Sequence, residues 1–177
     1  MLYSELQCSE AIHKAVERMG FAEMTEVQEK TIPVMLAGHD VIAKAPTGTG
    51  KTCAFGIPVA EHILPENKYP QAVIMAPTRE LAQQIAEELT QLTYFMPEVQ
   101  VACVYGGANM EKQAKRLAEG CQIVVATPGR LMDHYKHHTI DISHVTQIVL
   151  DEADEMLNMG FYKDVRLSLI HISEPTR

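Results

Sequence analysis

Val41-Ile42-Ala43-Lys44-Ala45-Pro46-Thr47-Gly48-Thr49-Gly50-Lys51-Thr52 decides the fold, because an apolar run, a glycine-containing loop and a helical pattern follow one another directly. A triphosphate needs many hydrogen-bond donors within a small radius, where side chains would crowd one another. A loop of this kind turns successive backbone N–H groups inward, and the N-terminus of the following helix adds its dipole. Ala45, Thr47, Gly48, Thr49, Gly50, Lys51 and Thr52 are therefore expected to line a phosphate site. Lys51 would reach the β- and γ-phosphates, and the Thr52 hydroxyl would ligate Mg2+. The strict form of this pattern begins with glycine, where this chain has Ala45. The plain alternative is a glycine-rich turn in which Lys51 is a solvated first-turn residue; the strand–loop–helix context argues against it.

Outward from that loop, short β-rich runs alternate with helical patterns. Residues 41–45, 72–76, 99–105, 123–126 and 147–150 read as strands, and residues 51–63, 79–92, 110–118 and 129–134 as helices. Such alternation predicts an α/β fold of βαβ units: a parallel sheet with helices on both faces and all strand C-terminal ends on one edge. Two helices come first. Ala11, Ile12, Ala15, Val16 and Met19 form an apolar stripe between a capping Ser9 and a terminating Gly20, and residues 25–36 form the second helix, ended by Gly38.

Composition bounds the function. The chain has 177 residues, 46% of them hydrophobic and 21% charged, which suits one globular domain and excludes a disordered segment. The apolar runs are too short to cross a bilayer and no basic-then-apolar leader opens the chain, so a soluble, cytoplasmic protein with no membrane partner is expected. The four cysteines lack metal-ligand spacing and read as reduced, buried thiols. A net charge of −8 argues mildly against nucleic acid, although screening over roughly 10 Å lets local charge override the sum.

Phosphoryl transfer to water needs a metal clamp and a group that orients the nucleophile. Val149-Leu150-Asp151-Glu152-Ala153-Asp154 supplies both at the end of an apolar strand. Asp151 is the expected Mg2+ ligand, partly through water, and Glu152 the group that polarises the attacking water. Acidic residues also favour a helix N-terminus, so the pair alone has a blander reading. With Lys51 as the third catalytic candidate, ATP and Mg2+ become the expected cofactors.

With these two motifs on the page, the sequence resembles the DEAD-box ATP-dependent RNA helicases, and specifically their first RecA-like P-loop NTPase domain. Gly20-Phe21 and Thr25-Glu26-Val27-Gln28 look like that family's adenine-recognition motif, with Tyr3 in the place of an upstream Phe and Met24 in the place of a proline. The resemblance implies that Gln28 reads the adenine edge while Tyr3 and Phe21 lie beside the base. Thr25 and Gln28 also have capping-box spacing, which is compatible with that role.

Pro77-Thr78-Arg79, Gly106-Gly107 and Thr127-Pro128-Gly129-Arg130 resemble the family's RNA-contacting motifs. Single-stranded RNA held by its backbone needs exposed N–H groups, hydroxyls and a few guanidinium forks. Each segment also has a plain reading, Thr78 and Thr127 as helix caps and Pro128 as a first-turn proline.

The resemblance implies a domain at 1–166, with the adenine segment at 1–28, and places a second RecA-like domain as a missing partner. The final Leu167-Ser-Leu-Ile-His-Ile-Ser-Glu-Pro-Thr-Arg177 resembles a translated transposase-type sequencing adapter and is expected to be non-native; the alternative is a strand at 167–172. Two competing functions remain: a nucleotide- or RNA-binding module without turnover, and a DNA-directed helicase on the same fold. His134, His137 and His138 read as a solvated helix end, the methionines as core filler, and Lys112, Lys115 and Arg116 as a solvated face.

Overall fold

A computed structural model describes residues 1–173. Its chain divides into two compact units: Met1–Leu64 with Glu87–Glu98, and Pro65–Ala86 with the chain from Val99 onward.

The first unit is helical. A 3-10 turn at Tyr3–Glu5 leads to α1 (Glu10–Arg18), α2 (Glu26–Leu36) and α3 (Lys51–Glu61). In α1 the apolar stripe is buried through Ile12, Ala15 and Val16, as its spacing demands. Gly20 has φ +80 and lets the chain leave the helix. In α3, Gly56 lets the helix approach Leu89 and Leu92: a Cβ on it would lie 2.8 Å from Leu92 Cδ1.

Residues 41–45 correct one expectation. They pair with no strand among the described residues, and Ile42 is fully exposed. Alternating or apolar β-rich sequence makes a strand only when a neighbouring edge accepts its N–H and C=O groups, and here no ladder partner is present.

The second unit holds a four-stranded parallel sheet, flanked by helices, in the order β2-β3-β1-β4: β1 is Ala72–Met75, β2 Val101–Val104, β3 Ile123–Ala126 and β4 Gln147–Leu150. The central strands β1 and β3 are fully buried, so they read as unbroken apolar runs rather than alternating ones. Between and after the strands come α4 (Arg79–Leu92), α5 (Met110–Ala118), α6 (Pro128–Lys136), α7 (Ala153–Asn158) and α8 (Tyr162–Ser173). The strand expected at 99–105 shortens to β2, and the alternative strand at 167–172 is instead helical, within α8. The last four residues of the suspected foreign tail lie outside the described residues.

The core of this unit gathers Val73, Met75, Val104, Val124, Leu131 and Met156, all nearly without solvent contact. Register fixes what the sheet presents. Met75 aligns with Ala126 and Leu150, and Val104 with Ala126, so all four strands end on one level. That carboxyl edge is where open parallel sheets bind ligands. No helix among the described residues is long and apolar enough to cross a membrane. All four cysteines are free, but only Cys53 and Cys121 are buried; Cys8 and Cys103 are half-exposed, which amends the expectation of four buried thiols.

Candidate functional site

In the first unit the glycine loop runs directly into α3, whose first residue is Lys51. Gly48 and Gly50 take φ +79 and +82, the left-handed region that side chains resist. Thr47 and Gly48 are exposed, and Ala45, Thr49, Gly50, Lys51 and Thr52 are half-buried. The Thr49 hydroxyl donates to Pro46 O at 2.7 Å, tightening the turn. The unsatisfied first-turn N–H groups of α3 therefore face a loop without bulky side chains.

Gln28 braces this loop from beneath. It is only 3% exposed. Its Nε2 donates to Gly50 O at 3.0 Å, while its Oε1 accepts from the Tyr3 hydroxyl at 2.7 Å and from Thr25 N at 2.9 Å. The Thr25 hydroxyl donates to Thr49 O at 2.8 Å. Tyr3 is buried as well, stacked 6.4 Å from Phe21, and Phe21 is the exposed ring of the pair. Burial, and then the charge a Cys53 thiolate would carry, push the Tyr3 hydroxyl pKa up, so it stays a proton donor. Spacing foretold the Thr25–Gln28 bond; it did not foretell the hold on Gly50.

In the second unit, four candidate segments leave the carboxyl edge of the sheet. After β1 come Pro77, which is buried, Thr78 and the exposed Arg79. Thr78 Oγ1 accepts from Leu81 N at 3.2 Å, the expected cap. The Arg79 guanidinium sits 4.8 Å from the centre of the Tyr105 ring, whose hydroxyl accepts from Gln83 Nε2 at 3.1 Å. After β2 come the exposed Gly106 and Gly107, the latter with φ +80. After β3 come Thr127, the buried Pro128, Gly129 and Arg130.

Four expectations change here. The Thr127 hydroxyl makes no helix-cap hydrogen bond; it accepts from Gly106 N at 3.4 Å. Arg130 is largely buried rather than an exposed fork: its side chain is 12% exposed, Nη1 donates to Ala108 O at 2.9 Å and Gln113 Oε1 at 3.1 Å, and the buried Nε has no hydrogen-bond partner among the described residues. His134 is likewise fully buried rather than solvated, bonded through Nε2 to Gln113 and through Nδ1 to Thr139, while His137 and His138 are exposed. Of the basic residues on α5, Lys112 and Lys115 are exposed as expected, whereas Arg116 is tied to Gly120 O and Val101 O.

After β4 comes the acidic turn. Asp151 is 9% exposed, and its N–H donates to Met75 O at 3.0 Å, continuing the ladder one residue past the strand. Glu152 then takes φ 51 and ψ 50, a left-handed conformation at a non-glycine residue, and its N–H donates to Asp151 Oδ1 at 3.1 Å. A side chain held there costs on the order of 1–2 kcal/mol, the kind of strain that gathers at functional positions.

The sequence model of the DEAD/DEAH box helicase family matches residues 25–177. The chain belongs to the DEAD/DEAH box helicase family. Among curated members, it is 52% identical to the ATP-dependent RNA helicase CshA of Limosilactobacillus reuteri over 165 residues, which is 93% of this chain and 33% of that protein. It is 44% identical to the ATP-dependent RNA helicase DeaD of Escherichia coli (strain K12), covering 97% of this chain and 27% of that one. A solved DEAD box protein from the hyperthermophile Methanococcus jannaschii superposes with a TM-score of 0.88 at 41% identity, covering 96% of this chain and 46% of that one. The chain thus spans about a third of the length of these curated helicases.

Proposed function

We propose that this chain is the ATP-binding and RNA-contacting first domain of an ATP-dependent RNA helicase, which hydrolyses ATP when joined to a second RecA-like domain. The observation that carries the reading is the Asp151–Glu152 turn: a nearly buried carboxylate ends a parallel strand, and the next carboxylate is held in a strained conformation. Sheet edges of this kind carry ligand chemistry, and strain of this kind is seldom kept without use.

In this reading the loop amides, the α3 N-terminus and Lys51 bind the triphosphate, and Phe21 with the Gln28 and Tyr3 pair forms the adenine end. Each unit has a donor that suits a hard divalent ion: the Thr52 hydroxyl in the first and the Asp151 carboxylate in the second. Mg2+, when bound with the nucleotide, supplies charge neutralisation at the phosphates. Glu152 orients a water for attack on the γ-phosphorus. The bond from that phosphorus to the bridging oxygen breaks, ADP departs, and the water's proton passes toward the Glu152 carboxylate. Arg79, Thr78, the Gly106–Gly107 turn and Thr127 hold the RNA backbone. The family likeness of the relatives and the shared edge of these segments support RNA as the partner.

The experiment is RNA-stimulated ATP hydrolysis by the longer protein, with and without Glu152→Gln. Loss of the orienting carboxylate should slow turnover by about 10²–10⁴-fold. Equal rates would remove Glu152 from the chemistry, and equal stimulation by single-stranded DNA would remove the preference for RNA.

A further inference from the structure

The turn that follows β2 is fastened at three points by groups that the sequence does not mark as fastenings. Gln113 Nε2 donates to Tyr105 O at 3.0 Å, Gly106 N donates to Thr127 Oγ1 at 3.4 Å, and Arg130 Nη1 donates to Ala108 O at 2.9 Å. Between those points Gly107 is exposed, and its N–H has no partner among the described residues.

Behind the fastenings stands a buried polar chain. Gln113 Oε1 accepts from Arg130 Nη1 and lies 3.1 Å from His134 Nε2; His134 Nδ1 lies 2.7 Å from the Thr139 hydroxyl. The amide orientation fixes the imidazole. Since Gln113 Nε2 is committed to Tyr105 O, its Oε1 faces the histidine, so Nε2 of His134 carries a proton and donates to it, while the Thr139 hydroxyl beside Nδ1 donates to His134 O at 3.1 Å. Gln113 is 8% exposed and His134 has no solvent contact. Buried polar chains of this kind are costly when broken and therefore hold one geometry.

We infer that Arg130, Gln113 and His134 are positioning residues: together they hold the turn at residues 105–108 so that the Gly107 N–H is presented to an RNA phosphate, and Arg130 does not itself touch the RNA. This rests on the RNA-binding reading above and deepens it. It also separates the two arginines. Arg79 is exposed over an aromatic ring and is the phosphate ligand, whereas the Arg130 side chain is 12% exposed and its Nη1 is committed to Ala108 and Gln113.

The test measures binding of a fluorescein-labelled decauridylate to the 177-residue chain at several salt concentrations, with amide hydrogen exchange at residues 106–109 followed in parallel. Removing a phosphate contact with Arg79→Ala should lessen the slope of log affinity against log salt by about 0.7 and leave exchange unchanged. Gln113→Leu should weaken binding about tenfold, leave the slope as it was, and speed exchange at residues 106–109. Arg130→Lys keeps the charge but replaces the planar guanidinium with a compact ammonium on a shorter, flexible stem that does not hold the Nη1 position, so it should behave like Gln113→Leu. His134→Gln can still donate toward Gln113 and should bind better than His134→Leu.

Wild-type affinity in Arg130→Lys, or a slope lessened in Arg130→Gln as much as in Arg79→Ala, would make the guanidinium a phosphate ligand and overturn the inference. Exchange that rises as much in β3 as at residues 106–109 would also overturn it, since the chain would then serve the core rather than the turn. If the wild-type chain binds no RNA at all, the RNA reading fails by itself. Exchange confined to residues 106–109 would still uphold the positioning of the turn.

Discussion

The two glycine turns of this protein are built alike and held differently. Each rests on a buried glutamine whose Nε2 donates to a turn carbonyl at 3.0 Å: Gln28 to Gly50 O, and Gln113 to Tyr105 O. Each glutamine Oε1 has two polar neighbours. For Gln28 they are the Tyr3 hydroxyl and Thr25 N; for Gln113 they are the Arg130 guanidinium and His134. The first brace is thus neutral, and the second contains a cation and a titratable ring. A side-chain amide suits the task because it bonds in opposite directions at once, gripping a carbonyl ahead while donors grip it from behind.

The clearance around the two turns differs most. A Cβ at Gly50 would lie 2.3 Å from Gln28 Nε2, and φ there is +82; a Cβ at Gly107, at φ +80, would meet nothing within 4 Å. Gly50→Ala should therefore cost about 2–4 kcal/mol, backbone strain and displaced glutamine together, and release the grip on the loop. Gly107→Ala should cost only the backbone share, about 1–2 kcal/mol. Urea unfolding of both variants measures the gap, and equal costs would mean that Gln28 swings aside freely.

Which parts of this were legible depends on the range of the forces involved. Helices α4 and α5 and strands β3 and β4 fall where apolar spacing and caps put them, because local patterning decides them. The places of the acidic turn after β4 and of the glycine loop before α3 were readable because each motif is confined to a few adjacent residues. Residues 41–45 misled because a strand also requires an edge to join, which no property of the segment encodes. His134 sits among polar residues, yet it lies three positions after the buried Leu131 and so shares its face, a signal that a helical-wheel reading could have caught. Burial of Arg130 had no such signal, since arginine is usually exposed and its acceptors, Ala108 and Gln113, lie on the preceding turn and helix. The same holds for Gln28, whose capping bond to Thr25 is local but whose bond to Gly50 is not.

Acid should distinguish the two braces. Burial lowers the His134 pKa from its ordinary value, the Arg130 charge adding to it, Asp133 opposing and His137 adding slightly. The unfolded chain takes up this proton below about pH 6.5 while the folded one resists, so the contribution of His134 is complete above that pH and is lost as pH falls below it. One proton bounds the loss at about 1.4 kcal/mol per pH unit. Thermal unfolding between pH 7.5 and 5 should show this acid limb, and His134→Gln should flatten it. A limb of unchanged steepness in that variant would move the proton uptake to another group. The Tyr3 brace has no counterpart, because burial raises its pKa and the hydroxyl stays protonated throughout.

The smallest effect belongs to that hydroxyl. Tyr3→Phe removes one donor to Gln28 Oε1, while Thr25 N still donates there and the ring keeps its place against Phe21. The loss should be about 1 kcal/mol in urea unfolding, the same at every pH from 5 to 9. Because Gln28 Nε2 still grips Gly50 O, affinity for a fluorescent ATP analogue should fall by less than about threefold, corresponding to well under 1 kcal/mol. A much larger loss of nucleotide affinity at unchanged stability would show that the hydroxyl acts on the nucleotide itself. The Tyr3 hydroxyl would then hold both its turn and the nucleotide, whereas the second brace holds only its turn.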